Sequence, residues 1–545
     1  MRNIMIGGAW PYANGSLHIG HMAALVPGDI LARYHRAKGD KVIYVSGSDC
    51  HGTPISIRAN KEKIAPNEIA LRFHSEFKDC FDKLLFTYDE YGNTMLDCHE
   101  KFVLDFFTVL INNGSLYEKE EQHVYCSHCQ KFLPDRYVNG ICPVCGKEAR
   151  GDQCDNCGSM LDPESLKDLH CAICGSIPEF KLSKQLYLHI VRFKKELSDF
   201  VETHTNWRFN ARNESKKYIE NGLQDRAATR DLDWGIDVPL KGYESKKIYV
   251  WFEAVLGYMS MTKKICEERN IDFIQFWNNS YHYYVHGKDN IPFHTIILPS
   301  LLLSRGNLHL PDMIVSSEYM TLEGRKISTS KNWAIWMPYL IDKYDADLIR
   351  CFFITYGPEA KDSDFSWNSF IMFNNSQMVG AYGNLVNRTL AFINKYNNDL
   401  IPVGECESEV KEQIKKTFEE VGSNIEKGNF RQALGLCFSL VDFGNKYYDE
   451  NKPWITRVED PAACNNTLYN CVQVIANLAV LFHPFAPRAS KIIEEWLSID
   501  NSWEPKEVAS QIEIPKVTVL YNRIDKKVID EEVTALKNNI NHIRG

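Results

Sequence analysis

The 545-residue sequence has no apolar run long enough to cross a membrane and no excess of basic residues. A transmembrane helix needs about 18 or more consecutive apolar residues, and no segment approaches that length. With 62 basic and 71 acidic residues, the formal net charge is −9. This charge argues against general binding to nucleic acid, although a local basic face would still permit a specific nucleic-acid partner.

The N-terminal segment also does not resemble a secretion signal. The N-terminal segment carries one arginine, and Pro11 and Asn14 interrupt its short apolar run, which does not match a signal peptide. We therefore expect a cytoplasmic protein that does not bind membranes. A composition of 44% apolar and 24% charged residues is typical of globular chains, and the length predicts about three or four domains.

Cysteine, in contrast, is abundant, with 17 residues in the chain. Two thiolates separated by two residues can bind one Zn²⁺ from a tight turn, and two such turns complete a closed, structural site. Disulfides or redox pairs are disfavoured, because four clustered pairs exceed any redox motif and the cytoplasm is reducing. We predict two structural zinc ions in a nested arrangement. The inner ligands are Cys142, Cys145, Cys154 and Cys157, and the outer ligands are Cys126, Cys129, Cys171 and Cys174.

The hydrophobic pattern of the first part of the chain predicts a parallel sheet. Strands are predicted at 3–8 and 41–46 on either side of a helix over 16–38, and further strands at 248–251 and 283–286. Helices are predicted over 66–84 and 97–113. Strands joined by helices at this spacing favour a doubly wound α/β sheet, which binds ligands at the carboxyl ends of its strands.

Beyond residue 366, long amphipathic runs predict a helical bundle, with helices over 368–396, 409–427, 430–451 and 465–498. A last helix over 530–544 is predicted to be capped by Asp530. The predicted fold is therefore a Rossmann-like nucleotide-binding domain that is split by a zinc-knuckle insertion and followed by an α-helical bundle. The predicted boundaries are 1–116 and 236–322 for the two halves, 117–235 for the insertion with knuckles at about 120–180, 323–365 for a loop region, and 366–545 for the bundle.

Two distant segments carry the residues expected to bind a nucleotide. His18 and His21 lie one turn apart at the start of a helix, where free N–H groups and the helix dipole attract anions. Gly20 between them leaves room for a flat ring. About 305 residues later, Lys326, Ser328 and Ser330 lie in a loop next to glycine. The two segments together predict an ATP site in which Mg²⁺ balances the phosphate charge.

These segments, H-I-G-H at 18–21 and K-I-S-T-S at 326–330, resemble the two signatures of class I aminoacyl-tRNA synthetases. Four further segments are similar to motifs of the methionyl-tRNA synthetases: A-W-P-Y-A-N-G at 9–15, S-D-C-H-G-T-P at 48–54, Y-V-W-F-E-A at 249–254 and G-K-D at 287–289. The resemblance covers nearly the whole chain. It implies a methionine site formed by Ala9, Trp10, Tyr12, Asp49, Trp251, Ala254, Tyr258, Phe293 and His294, with Asp49 receiving the α-ammonium group.

The same resemblance implies further site residues. Arg230 and Asp289 correspond to active-site residues, and Asn384, Arg388 and Trp454 to residues that read a CAU anticodon. An exposed Trp454 can stack on an unpaired base.

The sequence departs from the family pattern at two positions. Thr329 replaces the second lysine of the loop signature, and Lys331 is expected to restore its charge as a catalytic residue. Val255 stands where bacterial relatives often have proline, from which we expect only a reshaped pocket.

The predicted function is activation of L-methionine by ATP and its transfer to the 3′-terminal adenosine of methionine tRNA. The alternatives are another class I synthetase, a tRNA-binding paralogue without activity, and a zinc-ribbon module that binds nucleic acid. The absence of a large editing insertion disfavours the leucine, isoleucine and valine synthetases. The presence of His18, His21, Asp49 and Lys326 disfavours a paralogue without activity, and a zinc-ribbon module would explain only the cysteines. A monomer is expected.

Overall fold

The first part of the chain alternates strands and helices. The computed structural model describes residues 1–133, 137–151, 154, 161 and 163–541. Its first elements are β1 (Asn3–Gly8), α1 (Ile19–Ala37), β2 (Lys41–Ser48), α2 (Thr53–Glu62), α3 (Pro66–Lys83), β3 (Glu90–Asn93) and α4 (Asp97–Asn112). Helix α1 lies close to β2 because Gly28 has no side chain: an added Cβ would stand 2.7 Å from the Tyr44 hydroxyl.

A long antiparallel ribbon then leaves the sheet and carries the cysteine pairs at its far end. Strands β4 and β9 pair from Leu116 opposite Leu188 to Tyr125 opposite Glu179. The segment contains β4 (Leu116–Cys126), β5 (Lys131–Phe132), β6 (Val138–Ile141), β7 (Glu148–Arg150), β8 (Lys167–Cys171), β9 (Glu179–Leu188), α5 (Lys194–Thr203), α6 (Phe209–Glu220), β10 (Arg226–Ala227), β11 (Thr229–Arg230) and β12 (Lys247–Ile248).

The chain next completes the central sheet. The elements are α7 (Val250–Glu268), α8 (Phe273–Asn279), β13 (Ser280–Gly287), α9 (Leu298–Arg305), β14 (Met313–Ser317), β15 (Met320–Leu322), β16 (Arg325–Lys326), α10 (Met337–Lys343), α11 (Ala346–Tyr356) and β17 (Ser363–Phe365). The sheet has the strand order β14-β13-β1-β2-β3, and all its pairings are parallel. The predicted α/β class is confirmed, with the order reversing next to β1, where such folds bind ligands.

The predicted strand at 248–251 is wrong. Only Lys247–Ile248 is extended, and Val250 begins the helix α7. A short run of aromatic and branched residues does not distinguish a strand from a buried helix, and α7 is buried over most of its length. Trp251 therefore lies in the first turn of a helix.

The last part of the chain is helical, as predicted. Its helices are α12 (Trp367–Phe373), a π-helical segment (Asn374–Gly383), α13 (Asn384–Tyr396), α14 (Ser408–Glu426), α15 (Phe430–Asn451), α16 (Pro453–Glu459), α17 (Pro461–Phe482), α18 (Pro487–Leu497) and α19 (Lys527–Asn541). The predicted helix over 465–498 is two helices, because Pro484 and Pro487 interrupt it. Asp530 lies inside the first turn of α19 and does not cap it.

A buried arginine joins the bundle to the sheet domain. Arg350 of α11 donates to Asp29 of α1 at 2.7 Å and to the carbonyl oxygens of Pro484 and Phe485 at 2.8 and 3.1 Å. Both members of the ion pair are fully buried. This buried ion pair lies within an apolar core that is continuous through both parts of the chain. No helix in the described ranges has the length and apolarity to span a membrane.

Candidate active site and metal centre

The two histidines of the first motif cap helix α1 together. His18 Nδ1 accepts from the Gly20 N–H at 3.1 Å, and His21 Nδ1 accepts from the His18 N–H at 3.2 Å. Their rings stack with centroids 3.8 Å apart. Burial and the neighbouring His21 hold the pKa of His18 well below its usual range. Because both Nδ1 atoms accept, the neutral rings carry their protons on Nε2, where they can donate to an anion at the helix N-terminus.

The second motif lies directly beside the first. The Ile19 N–H donates to the Ile335 carbonyl at 3.1 Å, and a Cβ added to Gly20 would stand 3.6 Å from the Ile327 side chain. The side chains of Lys326 and Lys331 are exposed, and Ser328 pairs through its backbone with Trp333. The side chain of Ser330 is outside the described part of the structure. A basic loop is therefore anchored at the mouth of α1.

Asp49 is a buried carboxylate at the carboxyl end of β2. Its oxygen accepts from the His51 N–H at 3.3 Å, and its backbone pairs with Tyr12. Among the described residues, no lysine, arginine or histidine side chain forms an ion pair with it. Burial and the nearby Glu253 raise its pKa well above the usual range. A bound cation would compensate the negative charge of this buried carboxylate and favour its ionised form.

The Trp10 indole lies close to two glycines that have no side chain to exclude it. A Cβ on Gly47 of β2 would stand 2.6 Å from the indole, and a Cβ on Gly257 of α7 would stand 2.4 Å from it. The Trp10 ring meets Tyr258 edge-on at 6.4 Å. Ala9 precedes it, and its N–H donates to the Val285 carbonyl at 2.9 Å. The strand ends of β1 and β13 and the helix α7 thus converge on one aromatic pocket.

The rest of the predicted methionine site lines this pocket. Tyr258 donates its hydroxyl hydrogen to His294 Nε2 at 2.9 Å, because His294 Nδ1 donates to the Asn290 carbonyl at 2.8 Å. The Trp251 indole N–H donates to the Tyr12 hydroxyl at 2.8 Å, and its ring lies 4.8 Å from Phe293. Ala254 lies half-buried one turn before Tyr258. Aromatic walls of this kind suit an unbranched thioether.

Arg230 and Asp289 lie at the edges of the same region. The Arg230 guanidinium stacks 4.3 Å from the Tyr249 ring and donates to the carbonyl oxygen of Thr229 at 3.0 Å. The exposed Asp289 follows β13 and accepts from the Tyr319 hydroxyl.

The described cysteines of the insertion form two groups. Within each group all the sulfur atoms lie within 4.8 Å of one another. Sγ of Cys126 is 3.5 Å from that of Cys174, and Sγ of Cys129 is 3.9 Å from that of Cys171. Tetrahedral Zn–S bonds of about 2.3 Å place the sulfurs about 3.8 Å apart, so this set fits zinc. The groups are Cys126, Cys129, Cys171 and Cys174, and Cys142, Cys145 and Cys154. The eighth predicted ligand, Cys157, lies outside the described residues.

In the bundle, Arg388 and Trp454 flank one tyrosine. The Arg388 guanidinium lies 4.2 Å from the Tyr448 ring, and the Trp454 ring lies 5.8 Å from it. Arg388 also pairs with Asp449 at 2.7 Å, whereas Asn384 is exposed at the start of α13. The side chain of Trp454 is 48% exposed, which leaves a face open for stacking.

Three residues of these sites were not predicted from the sequence. Tyr448 contacts two of the predicted anticodon residues, Arg388 and Trp454, and His51 pairs with Glu253 beside Asp49. His51 and Glu253 each lie within a motif already assigned to the site, S-D-C-H-G-T-P and Y-V-W-F-E-A, and this position was the available signal. Tyr448 gives no such signal, because it lies on α15, whereas Arg388 lies on α13 and Trp454 on α16.

A parallel sheet with two histidines capping the first helix, and a loop that carries lysines beside them, is the architecture of the class I tRNA synthetases. The family model described as "tRNA synthetases class I (M)" matches residues 4–390, and the "Anticodon binding domain of methionyl tRNA ligase" matches residues 401–544. The chain belongs to the methionine–tRNA ligase family of the class I tRNA synthetases.

The similarity to known proteins extends along the whole chain. Methionine–tRNA ligase 1 of Alkaliphilus oremlandii is 51% identical over 98% of this chain and 99% of its own length. A methionine–tRNA ligase of Bacillus cereus is 50% identical over the same shares. The crystal structure of Mycobacterium tuberculosis methionyl-tRNA synthetase bound by methionyl-adenylate superposes with a TM-score of 0.81, covering 96% of this chain and 100% of that one. The two sequences are 19% identical, so this structural similarity shows that the fold is shared and no more.

Proposed function

We propose that this protein activates L-methionine with ATP and then transfers it to the 3′-terminal adenosine of methionine tRNA. The observation that carries the proposal is the unpaired, buried Asp49 carboxylate beside an aromatic pocket, at the sheet edge where His18 and His21 cap α1. A carboxylate for an ammonium group, a slot for a thioether and a helix mouth for phosphates together match the parts of methionyl-adenylate.

In the first step, Asp49 holds the α-ammonium group while Trp10, Tyr12, Trp251, Ala254, Tyr258, Phe293 and His294 enclose the side chain. The methionine carboxylate then attacks the α-phosphorus in line, the P–O bond to pyrophosphate breaks, and pyrophosphate leaves. His18 and His21 donate to the phosphates through Nε2, next to Gly20. Lys326, Ser328, Ser330 and Lys331 neutralise the charge that develops on the pyrophosphate. ATP enters as its Mg²⁺ complex.

In the second step, a hydroxyl of the terminal adenosine attacks the activated carbonyl, and AMP leaves. Asn384, Arg388 and Trp454 would read the CAU anticodon of the tRNA. Arg230 and Asp289 would act at the edge of the active site. Two structural zinc ions held by the eight cysteines would stabilise the end of the β4 and β9 ribbon. Since a closed Cys₄ shell has no open position, these metals would not take part in the reaction.

The test is amino-acid-dependent ATP–pyrophosphate exchange, with methionine measured beside leucine, isoleucine, valine and cysteine. Exchange with methionine alone is expected, followed by charging of methionine tRNA. Exchange with a different amino acid would show that the pocket assignment is wrong. No exchange from folded, zinc-loaded protein would favour the tRNA-binding paralogue. Light scattering tests the proposed monomer.

A further inference from the structure

Glu253 is a fully buried carboxylate to which the proposed reaction gives no role. It lies on α7 between Trp251 and Tyr258, which line the pocket. Its Oε1 is 2.5 Å from His51 Nδ1 and 3.8 Å from His99 Nε2. Burying a carboxylate is costly unless it is paired, and an apolar residue would pack in its place. Its position therefore requires a reason beyond packing.

The partner of Glu253 lies next to the ammonium anchor. The backbone N–H of His51 donates to the Asp49 carboxylate at 3.3 Å. The loop between them is fixed on its other side, where the Trp234 indole N–H donates to the Cys50 carbonyl at 2.7 Å. The contact between His51 and Glu253 thus connects the loop that carries Asp49 to the helix that carries the pocket.

We propose that Glu253 is a positioning residue: by holding the His51 ring, it sets the separation between Asp49 and the aromatic pocket, and thereby selects amino acids by side-chain length. This inference rests on the proposed function and concerns the contact that determines selectivity for side-chain length. One end of methionine is fixed at Asp49 and the other in a pocket whose walls include Trp251, Ala254 and Tyr258 of α7. A change in the distance between the loop and α7 would favour a shorter or a longer side chain.

The charge of Glu253 has a separate, measurable consequence. The ionisable side chains facing Asp49 and Glu253 are His51, His99, Cys50 and Glu100. Burial lowers the pKa of His99 to about 3, so it is neutral near pH 7. Burial and the negative charge of Glu253 both raise the pKa of Asp49. Removing that charge would let Asp49 ionise at a lower pH.

The test compares Glu253→Gln with the wild-type protein in the exchange assay. We expect kcat/KM for methionine to fall roughly 10- to 100-fold, mainly through KM, with little change in KM for ATP. The preference for methionine over ethionine, which is one methylene longer, should narrow. The acid limb of kcat/KM for methionine should move to lower pH. Glu267→Gln is the matched control, because Glu267 is exposed on the same helix and pairs with Lys263.

A second variant tests the same contact in case Glu253→Gln does not fold. His51→Gln removes the same contact and should cause the same loss of selectivity. The double variant should lose no more than the worse single variant, since both changes break one contact. Unchanged methionine selectivity and an unmoved acid limb in folded variants would overturn the proposal. Failure of the proposed function is distinct, because wild-type protein would then show no methionine-dependent exchange.

Discussion

Replacing Gly257 by alanine tests the packing of the methionine pocket. A Cβ at this position would stand 2.4 Å from the Trp10 ring, whereas ordinary contact begins at 3.4 Å. The ring would have to move by about 1 Å, a displacement that can reduce catalysis about 100-fold. Movement towards β2 is restricted as well, because the ring already occupies the place that a Cβ on Gly47 would take, 2.6 Å away. The ring would therefore move into the space for the substrate.

The change acts on stability in two opposing ways. Alanine is better than glycine in a helix by about 1 kcal/mol, whereas overpacking a core costs about 1–3 kcal/mol. We expect Gly257→Ala to be neutral or destabilised by up to about 2 kcal/mol. Gly435→Ala in α15 is the control, because an added Cβ there meets no atom within 4 Å. This control should gain stability and keep its activity.

The assay is pyrophosphate exchange with methionine and ATP titrated separately, together with thermal unfolding of both variants. KM for methionine should rise strongly in Gly257→Ala, while KM for ATP should stay near its wild-type value. If Gly257→Ala has a wild-type KM for methionine and gains as much stability as Gly435→Ala, the indole is not held as described. The Trp10 ring would then have room to move without entering the space for the substrate.

Four further changes test other parts of the structure. Lys331→Ala should slow adenylation about tenfold or more, and unchanged single-turnover rates would contradict its role at the loop. Trp454→Ala should raise KM for tRNA by about tenfold through lost stacking, while exchange without tRNA keeps its rate; equal charging kinetics would argue against the contact. Cys171→Ser should bind one zinc fewer per chain by elemental analysis, and an unchanged metal content would exclude the outer site. Arg350→Met should lower the free energy of unfolding by about 3–5 kcal/mol at pH 7. Although burial opposes it, Arg33 and Arg350 hold the pKa of Asp29 well below 3.8. The stabilisation is therefore complete above pH 3.8 and is lost gradually as the pH falls towards the lower pKa of the folded state, so the free energies of unfolding of variant and wild type should converge in strong acid.

Much of the fold could be predicted because it depends on local pattern. The apolar runs around β1 and β2 and the amphipathic runs of α14 and α15 appear where periodicity predicts them. The prediction failed at 248–251, where a short apolar run fits either a strand or a buried helix. Packing of α7 against the sheet decided between the two conformations.

Many residues of the candidate site could also be predicted from local spacing in the sequence. The spacing of His18 and His21 and of the C-x-x-C pairs follows from one helical turn and one tight turn, so neighbours in the chain carry the information. The close approach of Trp10 to Gly47 and Gly257 could not be predicted in this way, because each glycine lies on a different element.

Local sequence pattern was enough to predict the alternation of strands and helices, the histidine pair at the start of α1 and the cysteine turns, because backbone geometry over a few residues governs each of them. The tertiary structure alone decided that Ile327 meets Gly20, that Arg350 reaches Asp29, and that Glu253 holds His51 across 202 residues of chain. Contacts of this kind depend on how whole elements pack. No local periodicity encodes them, since their partners are brought together only when the common core forms.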